Sequence, residues 1–251
     1  MTHVALLIPF YNERNRFNLK QLENLMLNAP KNLYLYLIDD GSTDQFSHEL
    51  KVFIEKNQLQ NIEVVRNGEN RGKAEALRFG LNSIQLSKFD YIGFTDADFS
   101  ADSYEIVRLA KIAFKSSGNA ILGCRIRNGK NEITTTKFRY FQGQLFSKFS
   151  SLLLSHHLSD SQCGLKFFPV TSKLEDALRE PFMNTWLFDL ELLLRLSLDS
   201  NFTAEEIVLE KWTHVLDSKV KIVDSIAIVL TVLKLRMKYG NLRNLEIIPK
   251  D

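Results

Sequence analysis

Apolar runs of strand length alternate with helix-period segments through the first half of the chain, and nothing else in the sequence restricts the fold as much. The runs fall at about 3–9, 33–39, 61–66, 90–95 and 119–123, and the helical segments at about 17–28, 44–57, 71–86 and 102–116. Alternation at this spacing builds a mostly parallel sheet with helices over its faces, an α/β architecture. The chain has 251 residues, 45% of them hydrophobic, which suffices for one such domain and excludes a disordered chain. In such sheets the ligand crevice opens beyond the carboxyl ends of the strands. Three polar runs land there: Pro9 to Glu13, Asp39 to Asp44 and Asp96 to Asp98.

The second half reads differently. A helical segment at 134–158 is both apolar and basic, and a strand-like segment follows from Cys163 to Pro169. Then come a helix at about 187–199, a strand at about 205–212 and a last helix at about 219–239. No repeat, low-complexity stretch or linker divides the chain, so residues 1–251 read as a single domain. The formal charge of +2 makes no case for a nucleic-acid partner. Cys124 and Cys163 lack CxxC spacing, which points away from zinc or a disulfide framework and towards a reducing, cytoplasmic setting. The first residues enter a strand without a basic n-region, and no stretch reaches about 18 consecutive apolar residues. Neither a signal peptide nor a membrane span is expected.

The chemistry is concentrated in the acidic turns. In Thr95-Asp96-Ala97-Asp98, two carboxylates one residue apart at a strand end can hold a divalent ion and leave positions open for phosphate oxygens. In Asp39-Asp40-Gly41-Ser42-Thr43-Asp44, Gly41 permits a tight turn and Ser42, Thr43 or Asp44 can cap the next helix. One of its two adjacent acids must face the crevice, where it can grip a base or ribose. Pro9 stops the first ladder, and Glu13 either meets a ribose or base or sits near the start of the next helix. Asn70-Arg71-Gly72-Lys73 opens a helix with basic residues, against the dipole preference, which makes sense if Arg71 or Lys73 meets a phosphate. Together these runs point to a site for a metal–nucleotide diphosphate, and hence to transfer of what the nucleotide carries.

The later motifs have plainer alternatives. Asp160-Ser161-Gln162-Cys163-Gly164-Leu165-Lys166 is a turn with a glycine, in which Asp160 is a candidate base or supporting acid. His156 and His157 read as a solvated helix end, and Asp189 as the N-terminal anion of a helix. Lys211-Trp212-Thr213-His214 with Ser218-Lys219 either ends a strand and caps a helix or closes over a diphosphate.

The ordered set of runs resembles the inverting GT-A glycosyltransferases of family 2, within them most of all the dolichyl-phosphate (polyprenyl-phosphate) β-glucosyltransferases and then the dolichyl-phosphate mannosyltransferases. The likeness runs from Ile8 to Tyr239. Pro9–Glu13, Asp39–Asp44, Asn70–Lys73 and Asp96–Asp98 carry its generic part. Gly123-Cys124-Arg125, Phe138-Arg139, Asp160-x-Gln162-Cys163-Gly164-x-Lys166, Trp186-x-Phe188-Asp189-x-Glu191 and Trp212 with Ser218-Lys219 carry the part shared with lipid-phosphate enzymes. The resemblance implies that Pro9, Tyr11, Glu13 and Asp40 hold uridine or another base, with Lys73 near the nucleotide sugar. It implies that Asp96 and Asp98 engage Mg²⁺ or Mn²⁺ and the diphosphate. Arg125 and Arg139, with Ser218 and Lys219, would grip the acceptor phosphate. Cys124 replaces a common serine, Ala74 a common glycine, and Ser100 stands where the mannosyl group often carries glutamine. Many relatives also carry transmembrane helices, and none is read here.

The reaction so implied is a direct displacement from a nucleotide sugar such as UDP-glucose. A phosphate monoester, with a second pKa of about 6, needs little help from a base. For a hydroxyl acceptor, in a glycan or lipid-linked oligosaccharide, Asp160 would be the first candidate base and Asp189 the second. A nucleotide-binding protein without transfer activity is the reading from another class, opposed by the full set of acids. The segments 134–158 and 219–239 interleave basic residues with aromatic and aliphatic ones, which suits a peripheral helix on the cytosolic face of a membrane. Burial in the core or in a homodimer interface would explain the same pattern.

Overall fold

Every residue of β1 (Val4–Phe10) is buried, as a strand covered on both faces requires. The computed structural model describes residues 2–154, 158–185, 187–215, 224–240 and 246–249. The other strands of its main sheet are β2 (Leu33–Asp40), β3 (Ile62–Asn67), β4 (Tyr91–Phe94), β5 (Ala120–Cys124), β7 (Lys166–Pro169), β8 (Thr203–Val208) and β10 (Glu246–Pro249). They run in the order β10-β8-β5-β7-β4-β1-β2-β3. All neighbours are parallel except β7, which is antiparallel to both β4 and β5. β6 (Glu132–Thr134) and β9 (Lys211–Thr213) form a separate parallel pair.

The side chains of β1 alternate between two cores, and the helices divide the same way. Val4, Leu6 and Ile8 pack with α1 (Leu19–Asn28), α2 (Phe46–Lys56) and α4 (Ser103–Ala113). Ala5 and Leu7 pack with α3 (Lys73–Ser83), α6 (Ser172–Arg179) and α7 (Phe188–Leu196). α8 (Asp224–Tyr239) adds Val232 and Leu235 to the second core, and α5 (Lys137–Leu154) rests Phe146 and Phe149 against it. Among the described residues no helix is long and apolar enough to cross a membrane.

The predicted first-half strands and helices are all present; the helices and β4 are shorter by a few residues, and the other strands run one residue further at their ends. The second half departs more. The segment at 134–158 begins in β6 and becomes helical only at Lys137. The strand at 205–212 is two strands: Leu209 N–H makes the last ladder bond to β5, at Cys124 O, and Glu210 N–H goes instead to the Glu105 side chain, where the chain leaves the main sheet towards β6. Residues 219–223 of the last predicted helix lie outside the described residues. α6, capped by the Thr171 hydroxyl accepting from Leu174 N–H, and the short β10 were not anticipated.

β4 has a tight point at Gly93, where an added Cβ would sit 2.4 Å from the Phe167 ring of β7. We expect Gly93→Ala to cost about 1–3 kcal/mol of stability through overpacking. A fall in the denaturant midpoint with an unchanged slope would show it.

Candidate active site

The cleft begins where one ladder ends. Leu7 O accepts from Thr95 N–H at 3.2 Å, so Leu7 faces β4, and Pro9, two residues on, faces the same side. Pro9 has no N–H to give, and the β1–β4 register stops at Leu7 opposite Phe94. On the other edge β1 stays paired with β2 through Phe10 opposite Asp39. Pro9 therefore ends the ladder on one side only, and a cavity of about 430 Å³ opens past the β1, β2 and β4 ends. Pro9, Tyr11, Glu13, Asp40, Lys73, Asp96, Asp98 and Arg125 all line it.

The two acids of the second turn point different ways. Asp39 is buried and accepts from Ser42 N–H at 2.8 Å, with Arg66 Nε at 3.4 Å. Asp40 faces the cleft and accepts from Arg71 N–H at 3.0 Å and Gly72 N–H at 2.7 Å. Burial pushes the Asp40 carboxyl above its usual range, against the pull of those N–H groups. Gly41 has φ of +74°, and a Cβ there would meet the Glu69 backbone at 2.6 Å. Ser42 and Thr43 lace two loops together instead of capping α2: Asn12 N–H donates to Ser42 Oγ and Thr43 N–H to Asn12 Oδ1. Asp44 does take the Phe46 N–H that opens α2, at 3.2 Å.

Each acid of the Asp96–Asp98 turn carries a cation of the chain. Lys73 Nζ stands 2.5 Å from Asp96 Oδ1, and Arg16 Nη2 stands 3.2 Å from Asp98 Oδ2. Ser100 donates to Asp98 Oδ1 from both its N–H, at 3.0 Å, and its hydroxyl, at 2.8 Å. Burial alone would raise Asp96, but Lys73, then Arg125 and Lys166, hold it below the usual range. Burial, then the charge of Asp96, pushes Asp98 upward. Burial would lower Lys73, yet Asp96, Asp189 and Asp98 together hold it above the ordinary lysine value. A divalent ion fits this pair, since a positive charge there offsets both the burial and the neighbouring Asp96 charge that raise Asp98. Among the described residues no third His, Cys, Asp or Glu gathers with them. Two carboxylates are the complement that Mg²⁺ takes when phosphates and water fill the rest.

Arg125 is fixed by Asp160. Its Nε and Nη2 donate to the two carboxylate oxygens at 2.6 and 2.8 Å, and its backbone N–H adds a third bond at 3.0 Å. The guanidinium also lies 5.2 Å from the Trp212 ring centre. Burial opposes ionisation of Asp160, but the Arg125 charge wins and keeps its carboxyl below the usual range. Asp189 lies beside the buried Lys166 Nζ at 3.3 Å. Cys124 and Cys163 are free and buried, and burial pushes their thiols up to about 12 and about 11, so neither is a thiolate near neutrality.

The Arg139 side chain, His156, His157, Trp186, Ser218 and Lys219 lie outside the described residues. Arg16 escaped the sequence reading, and so did the role of Gly164, read there only as part of a motif. Arg16 enters the cleft from the β1–α1 loop, with Asp98 as a partner 82 positions away and no local pattern to mark it. Gly164 gives Asp96 room, since a Cβ there would lie 2.1 Å from Asp96 Oδ2.

The chain also resembles known proteins. The family model described as glycosyl transferase family 2 matches residues 5–171, from β1 through β7. The chain belongs to that family: it is a glycosyltransferase with the GT-A fold. The dolichyl-phosphate beta-glucosyltransferase of Dictyostelium discoideum is 26% identical over 254 residues, covering 94% of this chain and 75% of that protein. The Homo sapiens protein of the same name is 27% identical over 205 residues, covering 76% of this chain and 61% of its own length. Among solved structures, glucosyl-3-phosphoglycerate synthase from Mycobacterium tuberculosis, in complex with Mn²⁺, uridine diphosphate and phosphoglyceric acid, shares the fold. It superimposes with a TM-score of 0.65 at 16% identity over 95% of this chain and 78% of that one.

The contact between Gly164 and Asp96 gives a direct test. Gly164→Ala is expected to fold and to lose glycosyl transfer by about a hundredfold, the scale of a misplacement near 1 Å. Transfer rates measured beside thermal unfolding check it: a variant with wild-type rate would show that Asp96 does not need its place over residue 164.

Proposed function

We propose that the chain transfers a hexose, glucose from UDP-glucose, to a polyprenyl or dolichyl phosphate with inversion at the anomeric carbon. The relatives' names favour this acceptor, and the observation that carries it is the pairing of Arg125 with Asp160. Asp160 spends both carboxylate oxygens on Arg125 and is a weak base there, while three of the five guanidinium N–H groups bind no described residue and suit a ligand. A fixed guanidinium suits an anionic acceptor; a hydroxyl acceptor would need the base that this pairing withholds. Asp189, the second candidate base, is likewise engaged by a cation, Lys166 Nζ at 3.3 Å.

In this reading Pro9, Tyr11, Glu13 and Asp40 hold the nucleoside, and Lys73, Asp96 and Asp98 face the diphosphate. Bound at Asp96 and Asp98, Mg²⁺ or Mn²⁺ supplies Lewis-acid stabilisation of the departing diphosphate. An acceptor phosphate oxygen forms the bond to the anomeric carbon. The carbon–oxygen bond to the diphosphate breaks, and its electron pair leaves with the nucleotide. Arg125 offsets the repulsion between the two anions, joined by Arg139, Ser218 and Lys219.

The lipid end of the acceptor fits the exposed stripes of α5 and α8, two helices packed on each other. Phe141, Leu145 and Leu152 are exposed on α5, and Val229, Leu230, Leu233 and Met237 on α8. The two helices carry Lys137, Arg139, Lys148, Lys234, Arg236 and Lys238 against one acid, Asp224. That pattern suits the anionic surface of a membrane.

The test is transfer to a short polyprenyl phosphate with Mg²⁺ or Mn²⁺ and a panel of nucleotide sugars, read by mass spectrometry. We expect a glycosyl phospholipid from UDP-glucose, and a rate about 10²-fold or more lower in Arg125→Gln. Product formed only on a hydroxyl acceptor, with loss in Asp160→Asn, would replace this reading. Separately, Leu152→Glu is expected to weaken binding to anionic vesicles about tenfold, the scale of one leucine withdrawn from an apolar phase. Unchanged vesicle binding would assign the stripe to a second copy of the chain, seen as a dimer by sedimentation.

A further inference from the structure

The cations on the two acids of the turn are held very differently. Lys73 is fixed, 2.5 Å from Asp96 Oδ1 and 5.2 Å from the centre of the Phe188 ring. Arg16 is held loosely. Its contacts to Asp98 Oδ2 and Glu13 Oε1 are 3.2 and 3.4 Å, longer than the roughly 2.7–2.9 Å of a good charge-assisted bond. Its Nε is buried and has no hydrogen-bond partner among the described residues. A buried donor left unmade is costly, so another acceptor within reach would draw the fork away.

Only the side chain is free to answer. The Arg16 N–H donates to Glu13 O at 2.9 Å, and the next residue, Phe17, is wedged among Phe10, Phe46 and Phe99 at ring separations of 6.4, 5.1 and 5.3 Å. Arg16 lines the same cavity as Asp96, Asp98 and Lys73. A planar guanidinium matches two phosphate oxygens as well as it matches a carboxylate.

We propose that Arg16 is a further donor-binding residue: its bridge between Glu13 and Asp98 competes with a divalent ion for Asp98, and when the ion wins its fork turns to the diphosphate of the nucleotide sugar. The inference rests on the reading of this cleft as a metal–nucleotide-sugar site. The exchange keeps Asp98 neutralised at each stage, by the guanidinium first and by the metal afterwards.

Two opposite changes distinguish this from a merely structural arginine. Calorimetric titration of wild type, Arg16→Gln and Arg16→Lys would measure Mn²⁺ binding alone and UDP binding at saturating Mn²⁺. Arg16→Gln is expected to bind Mn²⁺ alone several-fold more tightly and UDP about tenfold or more weakly, the scale of one lost charged hydrogen bond. Arg16→Lys keeps the charge without the fork, and carries the test if the glutamine variant does not fold; it too should bind UDP more weakly. Mn²⁺ binding unchanged or weakened in Arg16→Gln, or UDP binding unaffected in both variants, overturns the proposal. Wild type that binds no UDP with any metal overturns the reading of the cleft, and the role of Arg16 with it.

Discussion

A parallel ladder that fails on one side holds this site open. Pro9 faces β4 without a hydrogen to give, so β1 and β4 part at their carboxyl ends while β1 and β2 stay joined. The parting leaves the chain after β4 free to turn, and Phe99 takes φ of +52° as it does so. Phe99 is tied down against Phe17, and Ser100 O accepts from Thr213 N–H at 2.9 Å. The acidic turn is thus anchored by its neighbours, and its carboxylates are left to the cleft. β7, entering antiparallel between β4 and β5, follows the segment that brings Gly164 beneath Asp96. A parallel strand in that place would enter from the opposite end of the sheet, away from the acids.

Acids and cations then settle in pairs of graded depth. Lys166 and Asp189 lie deepest, with side chains 0% and 7% exposed. Arg125 and Asp160 come next, at 27% and 13%. At the mouth Lys73 and Asp96 stand at 22% and 43%. Removing one partner of a fully buried pair leaves an uncompensated charge and costs about 3–5 kcal/mol. The deep pairs are therefore fixed supports. At the mouth Lys73 keeps its place beside Asp96, while the more exposed Asp96 carboxylate stays open to water and ligands.

What was legible follows from where each signal lies. The first five strands and four helices carry local periodicity and end in turn residues, so the positions of Asp40, Lys73, Asp96 and Asp98 at strand ends and a helix start were readable. Strand direction has no local signature: Lys166-Phe167-Phe168-Pro169 reads the same either way, and only its pairing with β4 and β5 makes it antiparallel. β8 and β9 merged because Leu209 carries the apolar pattern across, while the break lies one residue on, where Glu210 N–H turns to the distant Glu105 side chain. α6 did have a marker, Thr171 three residues before Leu174, but it spans only eight residues. Arg16 and Gly164 answer to partners far along the chain, and no window of sequence holds both members of either contact.

The support of the cleft also reaches the exposed stripe on α8. Tyr239, at the end of that helix, donates its hydroxyl hydrogen to Glu191 Oε1 at 2.9 Å, and Arg195 Nε donates to the Tyr239 oxygen at 3.1 Å. Arg195 also binds the carbonyls of Ala177, Glu180 and Pro181, while Glu191 Oε2 takes the Met183 N–H at 2.7 Å. These bonds fasten the segment that carries Thr185 into the cleft, where its hydroxyl would lie 2.7 Å from a Cβ at Gly72. Gly72 in turn donates to Asp40 and precedes Lys73. One buried arginine–glutamate pair thus supports the end of α8 and a wall of the cleft together. On the proposed reading, the helix that meets the lipid surface and the loop that holds the nucleotide sugar at Gly72 and Lys73 lean on the same Arg195–Glu191 pair.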